Sequence, residues 1–257
     1  MPVVKPIVSL ISRSFDISVA DAGVLLADAA ENGACYLKTY GDEPVSVALS
    51  KPVRLRINGE ERKGEYLFGV CTDAAHRGRG YAAGLIEETC GNADADCAVL
   101  IPENEGLFEF YEPLGFTATG ACASFNVEAS AAESVSVSGD GAYTEYLGFA
   151  QKCDNLCILS ERDFVASAAL APRTAVVGNS GVCFITSDGS VEAFAPRERI
   201  KDLAASALSL LGISAASVTT HFDFAPDGAA VKRIGMIKPL RNADIPARFY
   251  INNLYNL

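Results

Sequence analysis

The order of the apolar segments in the first half of the chain is the feature that most constrains its fold. Strand-like patterns cover residues 34–40, 45–57 and 65–72, and the Asn58-Gly59 pair between the last two is a hairpin signal. Helix and strand patterns then alternate, over residues 79–90, 97–101, 105–114 and from Phe116 onward. This order predicts an α/β or α+β fold with a mixed central sheet flanked by helices.

A segment of small and polar residues divides the chain. Residues 128–142 read EASAAESVSVSGDGA and contain no large hydrophobic side chain, which is typical of a linker. We therefore expect a first domain over residues 1–128, a linker over residues 129–141 and a second domain over residues 142–257. The second half repeats the succession of strands followed by a helix and a strand, without repeating the sequence of the first half.

Composition narrows the classes of partner. The formal net charge of −11 argues against a nucleic-acid partner, because phosphate binding needs basic patches. No apolar run reaches the roughly 18 residues of a membrane helix. The opening MPVVKPIVSLISRSF is interrupted by proline, lysine and arginine, so it lacks the order of a secretory signal. We expect a soluble cytoplasmic protein without a membrane partner.

The eight cysteines do not form a metal-binding pattern. Cys153 and Cys157 are close in sequence, but no second cysteine pair or histidine cluster accompanies them. The chain has two histidines, His76 and His221. We therefore expect buried, reduced thiols and no metal centre.

A glycine- and arginine-rich turn lies between a predicted strand and a predicted helix. Residues 69–90 read GVCTDAAHRGRGYAAGLIEETC. Such a turn presents several backbone N–H groups toward one point, and the helix dipole adds partial positive charge there. The turn is thus suited to a phosphate or pyrophosphate. It is not a P-loop, since no Gly-Lys-Ser/Thr follows, and Ala83 stands where a Rossmann turn has its third glycine.

The turn does fit the pattern Arg-x-x-Gly-x-Ala, at Arg77, Gly80 and Ala82. This pattern resembles the pyrophosphate loop of the GNAT superfamily of N-acetyltransferases, which bind acetyl-coenzyme A (acetyl-CoA). Residues 99–116, VLIPENEGLFEFYEPLGF, are similar to the same superfamily's strand, asparagine turn, tyrosine-bearing helix and LGF ending. The resemblance covers roughly residues 34–127 and implies the GNAT acyltransferase fold.

The whole chain resembles, more loosely, a bacterial group in which a GNAT domain precedes a degenerate GNAT-like half. That layout is related to the enhanced intracellular survival acetyltransferases. For this chain it implies a tandem arrangement, with a second half that has no coenzyme A loop of its own.

The resemblance implies which residues bind the cofactor. The backbone of Val70 and Thr72 would pair with the pantetheine arm, and the N–H of Val70 or Cys71 would polarise the acetyl carbonyl. Asn104 matches the position that contacts pantetheine, and Phe108 belongs to the same cofactor-binding set. The pyrophosphate would lie on the cradle loop, residues 77–82, which consists of Arg77, Gly78, Arg79, Gly80, Tyr81 and Ala82.

Catalytic roles are implied in the same way. Tyr111 matches the general acid that protonates the departing coenzyme A thiolate, and its alternative reading is a tyrosine packed in the core. Two candidates exist for the base: Glu65 on the strand entering the site, and the C-terminal carboxylate of Leu257. A reaction without a dedicated base is the third possibility. Cys71 reads as a core thiol.

Together these residues favour an acetyl-CoA-dependent N-acetyltransferase that acts on a primary amine of a small acceptor by direct attack. The alternative is a catalytically silent module that binds or senses acyl-CoA. A third hypothesis is a nucleotide-binding protein that uses the glycine-rich turn. No motif identifies the acceptor.

Overall fold

The structure is a computed structural model that describes residues 4–138, 141–170 and 173–251, with residues 166–170 described by their backbone alone. The helices are α1 (Val4–Phe15), α2 (Val19–Asn32), α3 (Tyr81–Asn92), α4 (Glu105–Tyr111), α5 (Ala142–Ala150), α6 (Glu161–Leu170) and α7 (Ile200–Leu211). Short 3₁₀ turns cover Ala74–His76, Glu112–Leu114 and Phe222–Phe224. No helix among the described residues is both long and apolar enough to cross a lipid bilayer.

The strands are β1 (Ala34–Tyr40), β2 (Glu43–Ile57), β3 (Glu60–Thr72), β4 (Cys97–Leu100), β5 (Thr117–Glu128), β6 (Val135–Val137), β7 (Leu156–Ile158), β8 (Arg173–Gly178), β9 (Val182–Thr186), β10 (Val191–Phe194), β11 (Ala215–Thr220) and β12 (Ala230–Pro239). The strand and helix order predicted for the first half is present. The predicted α/β or α+β class is therefore confirmed.

Three elements differ from the sequence-based expectations. Helix α1 was not predicted; Pro6 lies in its first turn, where a missing N–H costs no helical hydrogen bond. Strand β3 begins at Glu60 rather than at residue 65, directly after the Asn58-Gly59 turn. Strand β6 lies within the segment predicted as a linker and pairs with β8.

The described residues form two compact units that are not continuous in sequence. The first unit runs from the start of the described chain to Arg54 and adds Arg62–Ala118 and Met236–Ile245. The second unit contains Leu55–Glu61, Thr119–Gly235 and the chain from Pro246 onward. Strand β12 begins in the second unit and ends in the first.

The first unit has a mixed sheet in the order β1-β2-β3-β4-β12. Strands β1 and β2 are antiparallel, β3 and β4 are parallel, and the end of β12 runs antiparallel to β4. Its core packs helices α3 and α4 against the sheet through buried side chains that include Leu67, Ile86, Leu100, Phe108 and Met236. Val70, near the end of β3, packs against this core.

The second unit has a mixed sheet in the order β5-β11-β10-β9-β8-β6. Strands β10 and β11 are parallel, and the other neighbouring pairs are antiparallel. Helix α7 covers this sheet and buries Leu203, Ala204, Ala207 and Leu208 against it. Each unit thus contains a parallel pair of strands among its described residues, β3 with β4 and β10 with β11, and a helix follows the first strand of each pair.

Candidate active site

The end of β3 has an open edge. Its parallel register with β4 ends at Tyr66 and Val99, and β4 itself ends at Leu100. Beyond that point the last residues of β3 have no partner strand on this side among the described residues. Gly69 has a φ of +57° within this segment, and an added Cβ would lie 3.0 Å from the Leu49 side chain. Both the φ and the close leucine favour glycine at this kink, which redirects the backbone of the following residues.

The cradle loop follows the open edge. Asp73 caps the 3₁₀ turn Ala74–His76, and α3 begins at Tyr81. Gly78 and Gly80 have φ values of +74° and +76°, and a Cβ on either would meet nothing within 4 Å. These glycines are therefore needed for backbone conformation rather than for internal packing. The open space above them leaves the backbone accessible to a ligand.

The positive charge of the cradle loop is not neutralised by an ion pair. Arg77 Nε donates to the Thr72 carbonyl at 3.2 Å, and Arg79 Nη2 donates to the Ala75 carbonyl at 3.4 Å. Among the described residues, neither arginine pairs with a carboxylate. Both guanidinium groups therefore keep their full charge at the start of a helix, where the dipole also favours anions.

A cavity of about 520 Å³ joins the open edge, the cradle loop and helix α4. Eleven residues predicted for the site line it: Val70, Cys71, Thr72, Arg77, Gly78, Arg79, Gly80, Tyr81, Ala82, Asn104 and Tyr111. The cavity lies entirely within the first unit. The fold thus brings two sequence segments together around one space.

Tyr111 lies at the end of α4 with 7 % of its surface exposed. Its ring packs edge-on against Phe110 and Phe116, at centroid distances of 5.0 and 5.8 Å. Burial raises the pKa of the phenol to about 12. Its hydroxyl has no hydrogen-bond partner among the described residues. The phenol is therefore protonated at neutral pH, and its hydroxyl proton is free to interact with a ligand in the cavity.

Three predicted residues are not among the residues that line the cavity. Phe108 is 4 % exposed and packs in the core beneath it. Glu65 pairs with Ala98 in the closed part of β3, five residues before Val70, or about 16 Å along a strand. Burial raises the pKa of Glu65, an effect that the nearby Ser50 hydroxyl opposes. Leu257 lies outside the described residues.

Cys71 lines the cavity as a protonated thiol. Burial raises its pKa to about 11, against smaller opposing effects of Ser14, Arg13 and Arg77. A thiol with so high a pKa is a weak nucleophile at neutral pH. This agrees with the interpretation of Cys71 as a core residue.

Sequence reasoning missed part of the lining. Ser14 and Phe15 at the end of α1 contribute to it, as do His76, Glu103 and Phe110. Helix α1 was not predicted, so its end could not be placed at the site. His76 stands directly before Arg77 in the quoted turn, and Glu103 directly before Asn104. Their positions beside the motif residues were the only signal available.

A second cluster of polar side chains lies in the second unit. Ligand atoms of Cys153, His221 and Asp223 lie within 4.8 Å of one another. His221 Nε2 is 3.0 Å from the Asp154 carbonyl, and Nδ1 accepts the Asp223 backbone N–H at 3.1 Å. Both ring nitrogens are therefore engaged, and burial lowers the pKa of the ring. A metal ion could bind here only by displacing the Asp223 amide, so the donor set does not fit one.

The comparisons with known proteins agree with this geometry. A family model described as an acetyltransferase (GNAT) domain matches residues 4–119. No curated protein matches the chain. The chain is similar to a crystal structure of a GCN5-related N-acetyltransferase from Kribbella flavida, with 18 % identity and a TM-score of 0.67, covering 93 % of this chain and 70 % of that one.

Two further solved structures are similar over most of the chain. A GCN5-related N-acetyltransferase from Anabaena variabilis has 12 % identity and a TM-score of 0.71, covering 94 % of this chain and 71 % of that one. A tandem GNAT protein from the clavulanic acid biosynthesis pathway has 11 % identity and a TM-score of 0.52, covering 95 % and 96 %. At these identities the likeness concerns the fold, and it confirms the predicted GNAT fold. Residues 4–119 are thus identified as an acetyltransferase (GNAT) domain, which is the part of the chain that the family model covers.

Proposed function

We propose that the protein is an N-acetyltransferase that moves an acetyl group from acetyl-CoA to a primary amine of a small acceptor. The observation that carries the proposal is the cavity in which an open strand edge, a charged cradle loop and a buried phenol meet. An anion site alone would suit many ligands. An anion site that continues into an open strand edge suits a long molecule with a phosphate at one end and an amide-containing arm.

The residues present fit acetyl-CoA. The N–H groups of the cradle loop and the charges of Arg77 and Arg79 would hold the pyrophosphate. The backbone of Val70 and Thr72 at the open edge would hold the pantetheine arm as an added strand does, with Asn104 beside it. When bound, acetyl-CoA supplies an acyl group activated as a thioester.

The chain's own groups would then assist the transfer. The N–H of Val70 or Cys71 would donate to the acyl carbonyl oxygen, where negative charge develops during attack. Direct transfer to the amine in a ternary complex is favoured over transfer through Cys71, because burial keeps the pKa of that thiol at about 11.

Tyr111 would supply the proton that the departing thiolate needs. Its pKa of about 12 keeps the phenol protonated at neutral pH, and its hydroxyl makes no hydrogen bond among the described residues. A group in this state can act as a general acid without first breaking a structural hydrogen bond.

A silent acyl-CoA-binding module is the second candidate, and one observation favours it. Glu65 is not among the residues that line the cavity, and the carboxylate that does line it, Glu103, is exposed. The carboxylate expected on β3 as the base thus lies outside this lining. An amine that reacts from its neutral form needs no such base.

The test is thiol release from acetyl-CoA in the presence of a panel of primary amines, together with calorimetry of coenzyme A binding. An acetyltransferase releases thiol with at least one amine and yields its acetylated product. Coenzyme A binding without release on any amine supports the silent module. Protection of the fold from heat by ATP rather than by acetyl-CoA would contradict both.

A further inference from the structure

The carboxylate of Asp73 makes contacts in two directions at the edge of the cavity. Its Oδ2 atom is 2.9 Å from Arg13 Nη2 on helix α1. Its Oδ1 atom accepts the Ala75 backbone N–H at 3.0 Å. The Asp73 N–H also donates to the Val45 carbonyl at 2.8 Å, which fixes the residue to the sheet. A single side chain thus connects a helix end with the turn that leads into the cradle loop.

The helix side of this contact is part of the cavity. Arg13 lies in the last turn of α1, and its Nη1 atom is 3.4 Å from Ser9 Oγ one turn earlier. The next two residues, Ser14 and Phe15, line the cavity, and we call them the α1 wall. The Ser14 hydroxyl lies beside the Cys71 thiol, close to the backbone that would polarise the acyl carbonyl.

On the loop side, Asp73 belongs to the turn that directly precedes the residues proposed to bind the phosphates. The Asp73 carbonyl accepts the His76 N–H at 2.8 Å, which closes the 3₁₀ turn. Arg77, the first residue of the cradle loop, follows directly. The position of the cradle loop therefore depends on the same residue that holds the α1 wall.

We propose that Asp73 is a positioning residue that, through Arg13, sets the α1 wall against the acceptor amine while its other oxygen holds the turn before the cradle loop. This inference rests on the proposed acetyl transfer. The wall adjoins the reacting end of the cavity and belongs to neither the cradle loop nor α4. Since it lies beside Cys71, where the acyl carbonyl would be held, it would border the path of the incoming amine.

The ion pair between Arg13 and Asp73 contributes little to the global stability of the protein. The Arg13 and Asp73 side chains are 55 % and 25 % exposed. Exposed pairs typically contribute about 0–1 kcal/mol. Loss of the pair should therefore change the position of the wall without unfolding the protein, which makes a kinetic test possible.

The test compares Arg13→Gln, Asp73→Asn and Arg13→Lys with the control Asp94→Asn. Asp94 forms a surface ion pair with Lys63 at 2.7 Å in the same unit and is not among the residues that line the cavity. Arg13→Gln and Asp73→Asn should each raise the amine KM by about three- to tenfold, with kcat and the coenzyme A affinity within about twofold. Arg13→Lys keeps the positive charge, so its amine KM should stay close to the wild-type value. Asp94→Asn should leave the amine KM unchanged.

A second measurement does not depend on turnover. Hydrogen exchange of the last-turn amides of α1, residues 12–15, should be faster in Arg13→Gln than in the wild type and unchanged in Asp94→Asn. If coenzyme A binds but no amine reacts, the proposed function fails while exchange still tests the contact. Unchanged exchange in Arg13→Gln, or an unchanged amine KM in an active enzyme, would overturn the role of Asp73.

Discussion

The two units differ in the residues that connect a strand of the parallel pair to the helix that follows it. In both, a helix follows the first strand of a parallel pair: α3 follows β3, and α7 follows β10. The first connection contains Gly78 and Gly80 at positive φ with open space around them. The second reads APRER before Ile200 and contains no glycine. Only the first can bring a ligand close to its backbone.

The two connections also differ in whether their arginines are paired with carboxylates. Arg77 and Arg79 of the first unit form no ion pair among the described residues. In the second unit, Arg199 pairs with Glu133 at 3.0 Å, and Arg197 lies 3.8 Å from Asp227. Positive charge beside the second helix is therefore already neutralised by the protein. The comparison indicates that one layout can serve as an anion site or as a structural module, depending on a few residues in one connection.

Aromatic side chains fill the space beyond the second parallel pair. Phe194 at the end of β10 and His221 just after β11 both lie against Tyr250, at centroid distances of 6.3 and 5.3 Å. The corresponding region of the first unit is the cavity of about 520 Å³. The first unit is thus open where the second is packed.

The largest expected effect concerns the tyrosines of the two units. Tyr111→Phe should lower kcat by about 10²–10⁴-fold, the usual contribution of a general acid, with little change in melting temperature. Tyr146 of the second unit is fully buried, and its hydroxyl accepts the Leu159 N–H at 2.9 Å. Tyr146→Phe should instead cost about 1–3 kcal/mol of stability at nearly unchanged kcat. Undiminished turnover in Tyr111→Phe would show that Tyr111 is a core residue and not the general acid.

The next effect concerns the glycines. Gly80→Val should weaken coenzyme A binding tenfold or more, about 1.4 kcal/mol, because a β-branched residue disfavours a φ of +76°. Gly189→Val is the matched control, since Gly189 has a φ of +84° in a turn of the second unit. It should lower stability and leave the affinity alone. Equal affinities of Gly80→Val and the wild type by calorimetry would remove the cradle loop from the binding site.

A smaller effect concerns the buried histidine of the second unit. Burial lowers the pKa of His221 below 6.5, so the unfolded chain takes up this proton first as the pH falls. The contribution of His221 is complete above pH 6.5 and decreases below it, by at most about 1.4 kcal/mol per pH unit.

Urea unfolding at pH 7.5 and 5.5 measures this decrease. His221→Asn keeps an acceptor for the Asp223 N–H but does not titrate, so its stability should depend less on pH than that of the wild type. Parallel pH curves for the wild type and His221→Asn would contradict the assignment.

The smallest effect concerns the arginines. Arg77→Ala should weaken coenzyme A binding severalfold at low salt and less at high salt, where screening already reduces its charge effect. Its melting temperature should not change. Arg199→Ala should do the opposite: it leaves the nearly buried Glu133 carboxylate without its cation and should cost stability of about 1–3 kcal/mol, with coenzyme A affinity intact. A salt-independent loss in Arg77→Ala would exclude an electrostatic role.

The local sequence determined much of the first unit and most of the cavity lining. The periodicity of apolar residues gave the strand and helix order, because each period reflects which face is buried. The glycine and arginine spacing at residues 77–82 and the segment 99–116 carried the family resemblance, and that resemblance implied the eleven residues that line the cavity. A glycine at position 80 permits the φ of +76° that the loop adopts there.

The tertiary structure decided what depends on residues far apart in sequence. It placed the end of α1 at the cavity and put Asp73 within 2.9 Å of Arg13. It brought β12 beside β4, so that residues 236–239 complete the sheet of the first unit. It also left Glu65 out of the cavity lining, because the register of β3 with β4 sets where the open edge begins. Such features follow from which surfaces pack together, and packing is set by the whole chain rather than by any segment of it.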